Sequence, residues 1–181
     1  MNIKKKHSIA IFASDKGKGD PERGSIMAEA GSFLATQNAQ FTCFAQKNNF
    51  CAPLITAINK AGGDVTIFCE EGFTIPSGLS EIKMKLVSKN EKQKNQQINE
   101  ASDAFIALPG SLLSAKSLFE IWVATNRKKP VALLNKNRAF EFMRGFGVDV
   151  ISHKVKKIDQ HIIVSDNIED LWHRLNKALS E

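Results

Sequence analysis

The chain has 181 residues with a formal net charge of +6; 43% of the residues are hydrophobic and 24% are charged. These totals describe a globular α/β-sized chain, and no apolar run approaches the roughly 20 residues that span a bilayer. Cysteines number three and histidines four, with no CxxC, HxH or HxxxH spacing, so neither a disulfide scaffold nor a metal centre is expected.

The N-terminus MNIKKKHSIAIFAS places lysines before apolar residues, as a signal peptide does. The apolar run IAIFA is shorter than the roughly 7–15 residues of a signal core, and Asp15 and Lys16 follow it. Residues 1–6 therefore read as a basic tail, and a cytoplasmic location is expected. HSIAIFA (7–13) is the first strand. Residues 21–37 form a helix with Asp20 as its cap and Pro21 at its first position. Ile26, Ala30, Phe33 and Leu34 share one face of it. QFTCFA (40–45) is a second strand. CAPLITAINKAGG (51–63) is a helix that tolerates Pro53 in its first turn and stops at Gly62-Gly63.

Strands follow at 64–69 and 84–88, separated by the loop FTIPSGLSEI. A polar helix covers about 90–101. AFIALP (104–109) is a fifth strand, 114–126 a helix and PVALLN (130–135) a sixth strand. AFEFMRGFG reads as a short helix, 161–165 as a seventh strand and 167–179 as a closing amphipathic helix. Continuous apolar strands such as FIAL and VALL are those of a sheet buried on both faces. The alternation predicts one Rossmann-like domain over 1–181: a doubly wound, mostly parallel sheet of about seven strands, with helices on both faces. Cys43, Cys51 and Cys69 then fall in or beside strands as small core residues.

Ligands bind such sheets at the carboxyl ends of the strands. The loops in that position are Ser14 to Asp20, Phe44 to Phe50, Ser88 to Glu91 and Pro109 to Ser114. The stretch DAFIALPGSLLSAKSLFEIW (103–122) runs from a buried strand through Pro109-Gly110 into a helix. Ser111 and Ser114 place hydroxyls at that helix start, where free N–H groups favour an anion, although serine is also a common helix cap. Lysines at 83, 85, 89, 92 and 94 make a basic stretch. No aromatic residues interleave with them, so a solvated face is expected rather than a nucleic-acid surface.

These loops resemble those of the LOG ("Lonely Guy") family, Rossmann-like phosphoribohydrolases that split nucleoside 5′-monophosphates into base and ribose 5-phosphate. Members are often mislabelled lysine decarboxylases. DAFIALPG matches the family's strand ending in ALPGG, LFEIW its following helix and KKPVALLN (128–135) its next strand. The family's PGGxGTxxE falls on Pro109 to Ser117, of which Pro109 and Gly110 are kept. Ser114 replaces the threonine, and Ser117 stands at the catalytic glutamate. The family's GGGxxGLMG falls on Phe44 to Ala52 and keeps no glycine. Its HERK falls on Lys92 to Asn95, which puts Lys94 at the catalytic arginine. Its GSS falls on Ala13-Ser14-Asp15.

The resemblance implies a LOG-like protein whose hydrolase activity is lost or much reduced, with a nucleotide or phosphate held by Ser14, Pro109, Gly110, Ser111, Ser114 and Ser117. The alternatives are a divergent phosphoribohydrolase using Glu120 and Lys94, or a non-enzymatic module binding protein or nucleic acid. Glu120 lies one turn beyond Ser117 on the same helix face. Leu112, Leu113, Phe44 and Phe50 bring bulk where the family has glycine, so a partly filled pocket is expected. No cofactor is implied, and no lysine is marked as a pyridoxal phosphate Schiff base. The family's habit implies a homodimer, and the apolar circumference of SLFEIWVA accords with burial on more than one side.

Overall fold

The computed structural model describes residues 6–14, 21–46, 49–79, 81–124, 128–141 and 162–181. Eight strands, five α-helices and a short 3-10 helix (Lys136–Arg138) organise them. The strands are β1 (His7–Phe12), β2 (Ala39–Gln46), β3 (Asn49–Phe50), β4 (Asp64–Cys69), β5 (Lys83–Leu86), β6 (Ala104–Ala107), β7 (Val131–Leu134) and β8 (Ile162–Ser165). The helices are α1 (Pro21–Ala35), α2 (Ala52–Lys60), α3 (Glu91–Glu100), α4 (Leu112–Ala124) and α5 (Ile168–Ala178).

The sheet runs β5-β4-β2-β1-β6-β7-β8, every neighbouring pair parallel, with β3 antiparallel on β2. The chain winds outward from β1 in one direction through β2, β4 and β5. It then crosses back to wind the other way through β6, β7 and β8. The order reverses between β1 and β6, which opens a crevice above their carboxyl ends.

Strand alternation divides the core in two. Ile9, Ile11, Ile106 and Leu108 point to the face covered by α1, α2 and α5. Ala10, Phe12, Phe105 and Ala107 point to the face covered by α3 and α4. The central strands β6 and β7 are wholly buried, as their continuous apolar sequences require. The edge strand β5 is exposed along its length. Cys43, Cys51 and Cys69 are buried as expected. A hydrogen bond with Cys51, followed by burial, raises the Cys43 thiol well above its ordinary value, so it stays protonated and a poor nucleophile.

Local signals set most element ends. Asn90 caps α3, its Oδ1 accepting from the Gln93 amide at 3.1 Å, and Asn167 caps α5 in the same way at 2.7 Å. Gly62 adopts φ +75° just past α2, and the Gly63 amide donates back to the Ile58 carbonyl at 2.9 Å. Strand β7 starts after Pro130, which has no N–H to give the ladder. Helix α4 starts at Leu112, two residues before the expected Ser114, because Ser111 supplies the cap.

One expected loop, Phe44 to Phe50, has another form. Strand β2 extends to Gln46, and Phe50 pairs back on Ala45 as a short hairpin. The Asp20 cap and most of the helix expected over AFEFMRGFG lie outside the described residues.

Lys129 fixes the far end of α3. Its Nζ donates to the Asn99 and Ser102 carbonyls at 2.5 and 2.6 Å. Burial lowers its pKa, with Asp103 and Glu100 opposing. Lys129→Ala is expected to cost about 1–2 kcal/mol, because two carbonyls at a helix end lose a charged donor. Urea unfolding should show a lower midpoint with an unchanged slope.

Candidate functional site

The crevice above β1 and β6 holds a cavity of ≈ 180 Å³. Its apolar floor is Phe12 and Ala13 from the end of β1, Phe44 from β2, Ile98 from α3 and Ile121 from α4. Its polar wall comes from two helices. Glu91, Lys94 and Asn95 project from α3; Ser114, Lys116, Ser117 and Glu120 project from α4. Four of the expected site residues, Lys94, Ser114, Ser117 and Glu120, thus share one cavity. The spacing explains why: 114, 117 and 120 step along one face of α4.

The turn into α4 is tight. A Cβ on Gly110 would lie 3.0 Å from both Ser14 N and Ser114 Oγ. The absent side chain lets the end of β6 pack on the end of β1. Ser14 and Pro109 are buried beside it. Ser111 caps the helix. Its Oγ accepts from the Ser114 amide at 3.4 Å, and its carbonyl accepts from the Ser114 hydroxyl at 2.7 Å. The side chains of Leu112 and Leu113 lie outside what is described.

Electrostatically the site is balanced rather than cationic. Lys94 is only 8% exposed, unlike Lys83, Lys85, Lys89 and Lys92 of the same basic stretch, which are solvated as expected. Its ammonium lies 2.6 Å from Glu91 Oε1 and 3.2 Å from Glu70 Oε1. Glu120, also on the rim, lies 3.5 Å from Lys116. Among the described lining residues, two cations meet two carboxylates, and Glu70 adds a third behind Lys94.

The aromatic residues divide between faces. Phe44 lies against Phe12, ring centroids 4.9 Å apart, and edge-on to Phe68 at 6.2 Å. It occupies part of the crevice, as expected. Phe50 does not: the hairpin turns it to the opposite face, where it meets Phe73 at 5.4 Å. Trp122 is buried and Phe119 packs edge-on against it, which makes both core residues of α4.

Sequence reading gave no role to Glu70 or Phe12, and named Glu91 and Asn95 only as the ends of matched stretches. The Glu91–Lys94 pair at i,i+3 was visible in the sequence. Glu70 was not, because it follows the strand β4 and meets Lys94 only through the sheet order. Among the described residues, no group of three or more His, Cys, Asp or Glu side chains is placed to hold a metal ion. No helix among them is long and apolar enough to cross a membrane.

The reversal point, the Gly110 turn and the lined cavity define a Rossmann-like α/β protein with a cavity at the strand carboxyl ends, where ligands of such sheets bind. No protein-family model matches the chain. It is 27% identical over 141 residues to the cytokinin riboside 5′-monophosphate phosphoribohydrolase of Rhodococcoides fascians, covering 74% of this chain and 70% of that protein. That relative is of the LOG family, in line with the resemblance read from the loops. The fold is shared with the Moco carrier protein of Chlamydomonas reinhardtii, at TM-score 0.70 and 16% identity, covering 97% of this chain and 99% of that one. It is also shared with the molybdenum cofactor binding protein of Rippkaea orientalis, at TM-score 0.68 and 16% identity over 98% and 99%.

Proposed function

We propose that this protein binds a nucleotide-derived small molecule in the β1/β6 cavity and has lost most or all phosphoribohydrolase activity. The observation that carries this reading is the state of the two positions where catalysis is expected. Ser117 presents a hydroxyl to the cavity, and Lys94 is held by Glu91 and Glu70. Cleaving an N-glycosidic bond develops positive charge on the sugar, which a placed carboxylate stabilises and a serine does not. Lysine lacks the planar fork with which arginine grips two oxygens, and this one is already engaged.

A second reading has its own support. Glu120 and Lys94 line the same cavity, so a divergent hydrolase using that pair is the competitor. Glu120 lies about 4.5 Å further along the helix axis than Ser117, and smaller displacements cost a catalyst a hundredfold.

The deciding measurement is base release from a panel of nucleoside 5′-monophosphates, beside an active LOG-family enzyme. Rates at least a hundredfold below that enzyme are expected, since a positioned acid–base group contributes about 10²–10⁴-fold. Release that approaches the control and is abolished by Glu120→Ala would establish the divergent hydrolase instead.

The same reading includes a homodimer that uses the outer side of α4. Val123 is 62% exposed there. Light scattering is expected to give twice the chain mass at micromolar concentration; a monomer would remove the dimer.

A further inference from the structure

We infer that the cavity recognises an uncharged planar heteroaromatic ring, a nucleobase or its nucleoside, and takes no part of its affinity from a phosphate. This rests on the reading that a nucleotide-derived molecule binds there, and names the part of it that is bound.

Three independent features point the same way. The first is size. At ≈ 180 Å³ the cavity is smaller than the roughly 300–1,000 Å³ of sites that enclose drug-sized ligands. It has the space of about six waters, which suits a one- or two-ring heterocycle better than base, sugar and phosphate together.

The second is the aromatic wall. Phe44 is half-buried on this wall, and its ring is held by Phe12, itself 4% exposed, and by its edge-on contact with Phe68. Held rings are the surfaces on which bases stack, whatever the base.

The third is charge. A phosphate needs uncompensated cations or free amides. Among the described lining residues, Lys94 already faces two carboxylates and Lys116 faces Glu120. At the helix start, the Ser114 amide and hydroxyl, donors that a phosphate would otherwise take, are both directed at Ser111. A neutral ring suits this wall, because its N–H edge can donate to Glu91 or Glu120 and its ring nitrogens can accept from Asn95 or Ser117.

Titration calorimetry on the full chain tests the inference. The ligands are adenine, guanine, cytosine and uracil, their nucleosides, their 5′-monophosphates, and inorganic phosphate alone. At least one base or nucleoside is expected to bind, its monophosphate no more tightly, and phosphate not at all at millimolar concentration. Phe44→Leu keeps apolar volume and removes the ring; it is expected to weaken binding roughly five- to a hundredfold. Ser117→Leu, which narrows the cavity from α4, provides a second variant if the first melts abnormally, and is also expected to weaken binding.

A monophosphate that binds tenfold or more tightly than its nucleoside, or phosphate that binds alone, overturns this inference and leaves the ligand-site reading in place. Unchanged affinity in both folded variants also overturns it. No binding by any member of the panel overturns both. Base release at the rate of an active enzyme would overturn the loss of hydrolysis while leaving the recognition of the ring intact.

Discussion

Lys94→Met is expected to destabilise the protein by about 1–3 kcal/mol. The ammonium is almost fully buried, and its removal takes away the cation that both Glu70 and Glu91 face. Breaking a fully buried pair costs about 3–5 kcal/mol. The smaller figure applies because the Glu91 side chain is 70% exposed, where water screens it. Urea unfolding of Lys94→Met, Glu91→Gln and the double variant measures the coupling. The double variant is expected to be more stable than Lys94→Met, because one repelling carboxylate has gone. An unaltered midpoint in Lys94→Met would show that the cluster contributes nothing. The same variant separates ways of holding a ligand: a lysine that grips phosphate loses nucleotide affinity tenfold or more, whereas a neutral ring on Phe44 is affected less.

The second large effect lies at the α1–α2 contact. A Cβ on Gly31 would stand 2.7 Å from the Leu54 carbonyl oxygen and 2.9 Å from the Ala57 Cβ, inside any real contact. Alanine in place of helical glycine ordinarily stabilises by about 1 kcal/mol. At Gly31 the sign is expected to reverse. The helices must part, at a net cost of about 1–3 kcal/mol and a fall in Tm of roughly 2–12 °C. Gly24 in the same helix is the control, because its added Cβ would meet only Pro53 Cγ, at 3.9 Å. Gly24→Ala is expected to be neutral or stabilising. A stabilising Gly31→Ala in a thermal melt would mean that the helix contact is looser than described.

These two cases show where sequence reading stopped. That residues 21–37 form a helix followed from its apolar spacing and from Pro21. That Gly31 is the point of closest approach did not, because the neighbour that makes it so belongs to another helix. Likewise, the polar pattern after Asn90 announced α3, and the structure adds the Asn90 cap. The same pattern placed Lys94 among solvated lysines, and only the packing of α3 beside the end of β4 buried it against Glu70. The hairpin at Phe50 was hidden for a related reason. A two-residue strand has no periodicity of its own, and its pairing with β2 exists only in space.

The sequence by itself determined the alternation of strands and helices, the stop at Gly62-Gly63, the glycine turn at Gly110 and the resemblance to the LOG family. These depend on local patterns: apolar runs, turn residues and a motif read in order. The tertiary structure alone decided that Lys94, Ser114, Ser117 and Glu120 meet in one cavity, that Phe44 enters it while Phe50 does not, and that its described lysines are all paired with carboxylates. Those properties depend on which elements become neighbours across the β1/β6 reversal. Charge balance and free volume are sums over residues far apart in the chain, so no local segment carries them.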